Sequence, residues 1–335
     1  MLILGIETSC DDAAAAVLET STPGLATIRS SVIANQDEVH RRYGGIVPEL
    51  ASRNHVKTIM PVVHYAIERA GVTLGDIDGV AVTSGPGLVG SLLVGLMCAK
   101  GLAQSRGLPM VAVNHIEGHL LAPMLEHRLT MPYLALVVSG GHTEIFVVED
   151  FGRYRRLGRT RDDAAGEAFD KVAKVMGLGY PGGKVIDDLA REGNTKAIRF
   201  PRARVRGAPL DFSFSGIKTA VATMLRDGDG AKAASTQDLA ASFQEAVVDM
   251  LIAPTLKAAR ETGSATIALT GGVAANSRLR SRLAEVAHEE RRTVVAPALR
   301  YCTDNAAMIA IAGSYRLLRG EHDPLDIDAR ANLAL

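Results

Sequence analysis

LILGIETSCDDAAAAVL, residues 2–18, holds an apolar run (Leu2–Ile6), a polar turn (Thr8-Ser9-Cys10-Asp11-Asp12) and a second apolar run (Ala13–Leu18). The same order recurs in YLALVVSGGHTEIFVV, residues 133–148, as Tyr133–Val138, the turn Ser139-Gly140-Gly141-His142-Thr143, and Glu144–Val148. Short apolar runs closed by turn residues read as strands. Strand, small polar turn, strand, twice in one chain, implies an internal duplication, and a repeat of this kind fixes the architecture.

Outward from these units the pattern alternates. A helix is expected from Pro48 to Ala70, a strand over Gly79–Thr83, a helix from Leu88 to Arg106 and a strand over Pro109–Val113. After the second unit come helices over Glu167–Met176, Gly216–Arg226 and Thr236–Arg260, the last bent at Pro254. Then follow a strand (Ala265–Thr270), a turn (Gly271–Asn276), a helix (Ser277–Glu290), a strand (Thr293–Ala296) and a final helix, Thr303–Leu318, with Thr303 or Asp304 as N-cap. Strands alternating with helices indicate an α/β fold.

The 335 residues allow two domains, and no long linker or low-complexity segment separates them. Lys+Arg and Asp+Glu balance at 37 each, so polyanion binding must rest on a local patch. Tryptophan is absent, which argues against a stacking platform for single-stranded nucleic acid. Cys10, Cys98 and Cys302 are too few and too scattered for a disulfide framework and fit a reducing, cytoplasmic setting. Glu7, Asp11 and Asp12 interrupt the N-terminus before it could serve as a signal peptide. Residues 79–99 lack charge, but Gly85-Pro86-Gly87 breaks the run; a strand, a turn and a buried helix account for it better than a membrane span.

Three glycine-rich turns follow apolar strands: Ser84–Gly87, Ser139–His142 and Thr270–Asn276. Glycine lets backbone amides approach a phosphate, and the third turn leads into a helix N-terminus. Each alone is ordinary turn chemistry; three together point to a nucleotide. None matches the Walker or dinucleotide patterns, which leaves P-loop and hydride-transfer chemistry unsupported.

His115-Ile116-Glu117-Gly118-His119 places two imidazoles four apart, on one helix face about 40° from each other. The spacing suits one metal ion, although core or surface histidines show it too. In the zinc-protease signature the glutamate directly follows the first histidine. Here Glu117 lies two residues on, about 200° around the helix, and points away. Asp304, in Cys302-Thr303-Asp304-Asn305, is an attractive third ligand that spacing alone does not single out. Two imidazoles and a carboxylate suit iron(II) or zinc with open positions.

Asp11-Asp12 and Asp162-Asp163 read as solvated turn charges or, for the first pair, as carboxylates beside a bound phosphate. Lys171 is placed to pair with Glu167, and Asp170 to reach a ribose hydroxyl. Arginines concentrate at 153, 155, 156, 159 and 161, and again at 199, 202, 204 and 206. Such runs are usually solvated faces, but here they are the places where a local phosphate-binding patch would form.

The chain resembles the bacterial TsaD family, the tRNA N6-adenosine threonylcarbamoyltransferases. The resemblance runs nearly end to end through GIETSCD (5–11), YGGIVPELASR (43–53), GPGLVGSL (85–92), NHIEGH (114–119) and VSGGHT (138–143). It continues through DDAAGEAFDK (162–171), YPGG (180–183), DFSFSGIKT (211–219), TGGVAAN (270–276) and CTDN (302–305). It implies two RNase-H-like lobes of the actin/Hsp70/sugar-kinase architecture. We expect an N-terminal lobe over residues 1–110, with 303–335 packing back on it, and a C-terminal lobe over 111–302 carrying the metal and nucleotide turns.

The implied reaction is an acyl transfer in tRNA modification. A threonylcarbamoyl group moves from threonylcarbamoyl-AMP to N6 of the adenosine 3′ of the anticodon in tRNAs reading ANN codons, releasing AMP. By resemblance His115, His119 and Asp304 hold one divalent metal, Fe(II) ahead of Zn(II). Val137, Val138, Ser139, Gly140, Gly141, Asp170, Gly183, Asp187 and Asn276 contact substrate. Implied partners are tRNA, a TsaB-like inactive paralogue and a TsaE-like small ATPase, with no membrane. Asp11 and Asp12 are the candidates for taking the amine proton. The sequence departs from the family pattern at Asp12, Lys184 and Arg106, without loss of a ligand. Competing readings are a metalloendopeptidase, an actin-like ATPase or kinase, and a non-enzymatic tRNA-binding scaffold.

Overall fold

The computed structural model describes residues 1–227 and 234–335. The chain divides into two compact units: Met1–Leu129 with Pro297–Leu335, and Thr130–Ala296.

In the first unit β1 (Leu2–Glu7), β2 (Ala13–Thr22) and β3 (Leu25–Ala34) form a meander, and β4 (Gly79–Gly85) and β5 (Met110–Asn114) extend it on the other side of β1. The order is β3-β2-β1-β4-β5, with β1/β2 and β2/β3 antiparallel and β1/β4 and β4/β5 parallel. β1 and β4 are buried along nearly their whole length, as near-continuous apolar runs between helical layers require. Helices α1 (Asp37–Arg41), α2 (Pro48–Ala70), α3 (Val89–Arg106) and α4 (His115–Leu121) belong to this unit. Its core joins Leu4 and Ile6 of β1 to Ile59, Val62 and Val63 of α2 and Leu96 and Ala99 of α3.

The second unit repeats the plan. Its strands are β6 (Tyr133–Val138), β7 (Thr143–Asp150), β8 (Arg153–Arg159), β9 (Thr266–Thr270) and β10 (Thr293–Val295). Read from the meander edge the order is β8-β7-β6-β9-β10, with antiparallel and parallel pairings at the same places as in the first sheet. Each sheet therefore starts from one of the two strand–turn–strand segments, and the duplication expected from the sequence is present. Helices α5 (Ala165–Val175), α6 (Gly182–Ala190), α7 (Ser215–Asp227), α8 (Thr236–Thr262) and α9 (Ser277–Glu289) accompany it. The last helix, α10 (Ala306–Leu318), returns to the first unit and packs on β1, β2 and β4.

Three expectations change. The boundary falls after Leu129, not after residue 110, so His115 and His119 lie in the first unit with Asp304 and not in the second. The last helix starts later than expected, at Ala306, and Asn305 caps it by accepting from the Met308 amide at 3.0 Å. Asp304 thus lies outside the helix, its carboxylate not used as the cap. α1, β3, β8 and α6 go beyond the elements expected from the sequence. β3 is half exposed and β8 (RYRRLGR) reads as a charge run. Among the described residues α8 alone is long and apolar enough to cross a membrane, and most of it is buried.

Candidate metal and substrate site

β5 ends at Asn114, whose side chain accepts from the Ile116 amide at 2.8 Å and so starts α4 at once. The helix is buried throughout, and four-residue spacing sets His115 and His119 together, ring centroids 4.7 Å apart at 83°. Both Nε2 atoms face Asp304 Oδ1, at 3.6 Å from His115 and 3.2 Å from His119. One ligand atom from each of the three lies within 4.8 Å of the others. Glu117 turns elsewhere, as its displaced position requires, and accepts from the Tyr315 hydroxyl at 3.1 Å. Glu117 therefore does not take the place that the zinc-protease scheme gives its base.

Glu7 completes this cluster and was not anticipated. It ends β1, fully buried, and His115 Nδ1 lies 3.0 Å from its Oε2. Thr83 Oγ1 donates to the same oxygen at 2.7 Å, and the Ser9 amide donates to Oε1. Ser9 Oγ is also 3.0 Å from His115 Nδ1. A proton held on Nδ1 by Glu7 directs Nε2 toward Asp304, the carboxylate–histidine arrangement that supports metal ligands. The available clue was an acid closing an otherwise apolar strand.

Burial disfavours charge on His115, but Asp304 and Glu7 outweigh it and raise its pKa to about 9. Glu7 is lowered: burial opposes its charge, and His115 overcomes that. His119 is lowered by burial, against the pull of Asp304. Two imidazole Nε2 atoms and one carboxylate oxygen converge here, and this donor set fits a divalent cation.

In the β1–β2 turn, Asp12 Oδ1 accepts from Asn35 Nδ2 at 2.9 Å. Burial first, then Asp11, Asp304 and Asp37, raises Asp12 to about 8. Asp11 is raised by burial as well. The turn is held from behind by His55, whose Nε2 lies 2.8 Å from the Cys10 carbonyl while Nδ1 faces Gln36 Nε2 at 3.2 Å.

The second unit gathers the remaining candidates. Val137 and Val138 are the buried end of β6, Ser139 is buried, and Gly140 and Gly141 stand in the turn with open space where a side chain would go. Ser139 Oγ accepts from the His142 amide at 3.1 Å, closing the turn. Gly166 of α5 lies so close that a Cβ there would be 2.7 Å from the Ser139 carbonyl oxygen. Asp170 accepts from the Gly182 amide at 2.8 Å and so fixes the start of α6, where Gly183 is open. Asp187 accepts from Ser277 Oγ at 2.8 Å, joining α6 to α9. Asn276 caps α9 through the Leu279 amide at 2.9 Å and donates to Gln244 at 2.7 Å. Gly271, at φ 94°, takes a conformation few other residues adopt, and packs against the Val138 backbone.

Asp162 and Asp163 are fastenings. Asp162 accepts from Ser213 Oγ, the Phe214 amide and Ser215 Oγ at 2.6, 2.8 and 2.7 Å. Asp163 takes Lys171 at 2.7 Å and Lys218 at 2.6 Å. Lys171 also pairs with Glu167 at 2.7 Å, as its spacing implied. Lys184 pairs with Asp188 at 2.6 Å within α6.

Two sheets of one topology define an α/β protein of the actin/Hsp70-like fold class, here with a two-histidine, one-carboxylate constellation in the first unit. The solved structure of the activator of the 2-hydroxyisocaproyl-CoA dehydratase from Clostridium difficile superposes with a TM-score of 0.54 at 14% identity, covering 96% of each chain. HypF in its phosphate- and nucleotide-bound form gives 0.63 at 15% identity, over 95% of this chain and 55% of that one. At such identities these show the fold. The family model "TsaD: tRNA N6-adenosine threonylcarbamoyltransferase" matches residues 27–311. A protein of that name from Anaeromyxobacter sp. (strain Fw109-5) is 56% identical over 98% of both chains, and one from Syntrophotalea carbinolica is 53% identical over 100% of this chain and 97% of its own. The chain belongs to the tRNA N6-adenosine threonylcarbamoyltransferase family.

Proposed function

We propose that the chain transfers the threonylcarbamoyl group of threonylcarbamoyl-AMP to N6 of the adenosine 3′ of the anticodon in tRNAs reading ANN codons. The observation that carries this is end-to-end identity with curated threonylcarbamoyltransferases, 56% over 98% of both chains. The N6 nitrogen bonds to the carbamoyl carbon, the bond from that carbon to the phosphate oxygen breaks, and AMP leaves with the electron pair. The donor is already an activated mixed anhydride, so no ATP is cleaved in this step.

In the second unit the Val137–Gly141 turn, open at Gly140 and Gly141, together with Gly183 and Asn276 would hold the donor, and Asp170 and Asp187 set the elements that carry them. Positioning of this kind supplies up to about 7–11 kcal/mol of the barrier reduction in well-oriented systems. In the first unit Asp12 is the proton acceptor we favour: burial and the neighbouring carboxylates raise it to about 8, so its carboxylate form is a stronger base than a free aspartate. His115, His119 and Asp304 would hold the metal, Fe(II) by the two-histidine, one-carboxylate pattern, with Zn(II) second. Such an ion supplies Lewis acidity toward an oxygen of the donor.

A protein partner is supported by exposed apolar residues of α2 and α3, including Val56, Met60, Val89 and Met97. We assign this face to a TsaB-like paralogue and, from the family resemblance, include a TsaE-like ATPase in the assembly. Met60→Glu together with Met97→Glu should abolish co-elution with the paralogue; retained co-elution moves the interface elsewhere. The transferase reading is tested by incubating the chain with tRNA, labelled threonine, bicarbonate, ATP, the donor-forming enzyme and these partners. Digested tRNA should yield labelled threonylcarbamoyladenosine, and its absence would sink the proposal.

A further inference from the structure

Of the two arginine runs in the second unit, the first is largely neutralised. Arg155 pairs with Glu149 at 3.0 Å, Arg156 with Glu144 at 3.0 Å, Arg153 with Asp150 at 3.6 Å, and Arg161 with Asp211. The second run differs. From Lys196 to Leu210 the sequence holds five cations (Lys196, Arg199, Arg202, Arg204, Arg206) and no acid. Arg202 pairs with Asp249 at 3.0 Å, and no ion pair joins the other four to a carboxylate among the described residues. Arg199, Arg204 and Arg206 are exposed, alternating with the half-buried Ala203 and Val205.

This segment is anchored at both ends. Upstream, the Asn194 amide donates to Asp238 at 2.7 Å, the Ile198 amide to Ser242 Oγ at 3.1 Å, and Phe200 is buried. Arg202 spans to Asp249 while also donating to the Phe200 carbonyl at 2.7 Å. Downstream, Asp211 accepts from the Arg159 amide at 2.9 Å, Phe212 bridges to Thr160, and Asp162 holds Ser213 to Ser215. The strap between has no regular secondary structure and presents its guanidinium groups from fixed ends.

We propose that this strap, residues 196–206, is a contact surface for the phosphate backbone of tRNA; the proposal rests on the transferase reading above. A net-neutral chain that leaves four like charges unpaired within eleven residues bears their mutual repulsion in the free protein, and a polyanion relieves it. Guanidinium forks suit phosphate oxygens. The strap exposes no aromatic ring for stacking on bases and no large apolar side chain for a protein interface, so it positions RNA without reading its sequence.

The experiment compares the full chain with its Arg199→Gln/Arg204→Gln/Arg206→Gln variant, using a labelled tRNA transcript, with partner proteins present, between about 50 and 200 mM salt. Removing three phosphate contacts should flatten the plot of log affinity against log salt by about 2–3 and weaken binding about tenfold or more at the lower salt. KM for tRNA should rise while kcat at saturating tRNA holds. A control carrying Arg153→Gln and Arg155→Gln should keep the wild-type slope. Wild-type protein that modifies tRNA, with a folded triple variant of unchanged slope, overturns the strap alone. An unchanged slope with lost partner-protein binding overturns it in favour of a protein contact. Wild-type protein that neither binds nor modifies tRNA overturns the transferase reading as well.

Discussion

Glu7 sets what His115 can be. Its carboxylate fixes a proton on Nδ1, so that Nε2 is the nitrogen offered toward Asp304. Glu7→Gln keeps the shape and removes the charge, and it should weaken metal binding about 10–100-fold, measured by competition with a chelator. An unchanged affinity would show that Glu7 serves only the fold. Asp12 gives a second prediction, for the metal-free protein. Its pKa rises from 3.8 to about 8 on folding. Between those values the folded chain holds a proton that the unfolded chain has released, so stability falls as pH rises. The contribution is whole below 3.8 and lost on passing through about 8. Asp12→Asn keeps an acceptor for Asn35 and removes the titration. Its Tm should decline less than that of wild type between those pH limits; parallel declines would place the coupling elsewhere.

At the scale of elements, α10 holds Asp304 in register with α4. It docks on the first sheet with small residues on both sides. A Cβ on Gly313 would lie 2.7 Å from the Ala81 Cβ and 2.8 Å from a Val111 methyl. A Cβ on Gly5 of β1 would run into the Ala306 carbonyl and come within 2.9 Å of the Ala310 Cβ. Gly313→Val should therefore cost about 1–3 kcal/mol in denaturant unfolding and weaken metal binding, although it touches no ligand. Full metal affinity in a destabilised variant would separate helix docking from the site. The same contrast explains what the sequence disclosed. β1, β2, β6 and β7 were legible because buried strands between turn residues leave apolar runs, and α2 because Pro48 opens it and Gly71 closes it in a left-handed conformation. His115 and His119 were legible because helical periodicity alone makes them neighbours. Glu7 was not: its role depends on β1 lying parallel to β4 and near α4, contacts across 76 and 108 residues. β8 was hidden because its arginines pair with carboxylates of the neighbouring strand β7, which makes a paired strand look like a solvated basic run.

At the scale of the molecule, the duplicated sheets have diverged in what their equivalent turns carry. The turn after β1 is acidic, Asp11-Asp12, and lies within the electrostatic reach of Asp304; the turn after β6 is Ser139-Gly140-Gly141, small enough to present backbone. All three candidate ligands come from one unit, two from α4 and one from the segment before α10. A ligand that binds only the native state stabilises it by about 2.7 kcal/mol at a hundredfold excess over its dissociation constant. That stabilisation is felt most by the structure that must open to release the ligand. Hydrogen exchange of the full chain, with and without Fe(II) or Zn(II), should therefore show the largest gain in protection in β1, α4 and α10, and a smaller one in β6 to β10. The His119→Ala variant should show neither gain. Equal protection of both sheets would mean that the metal is bound by more than His115, His119 and Asp304, and the donor set assigned to the first unit would have to be enlarged.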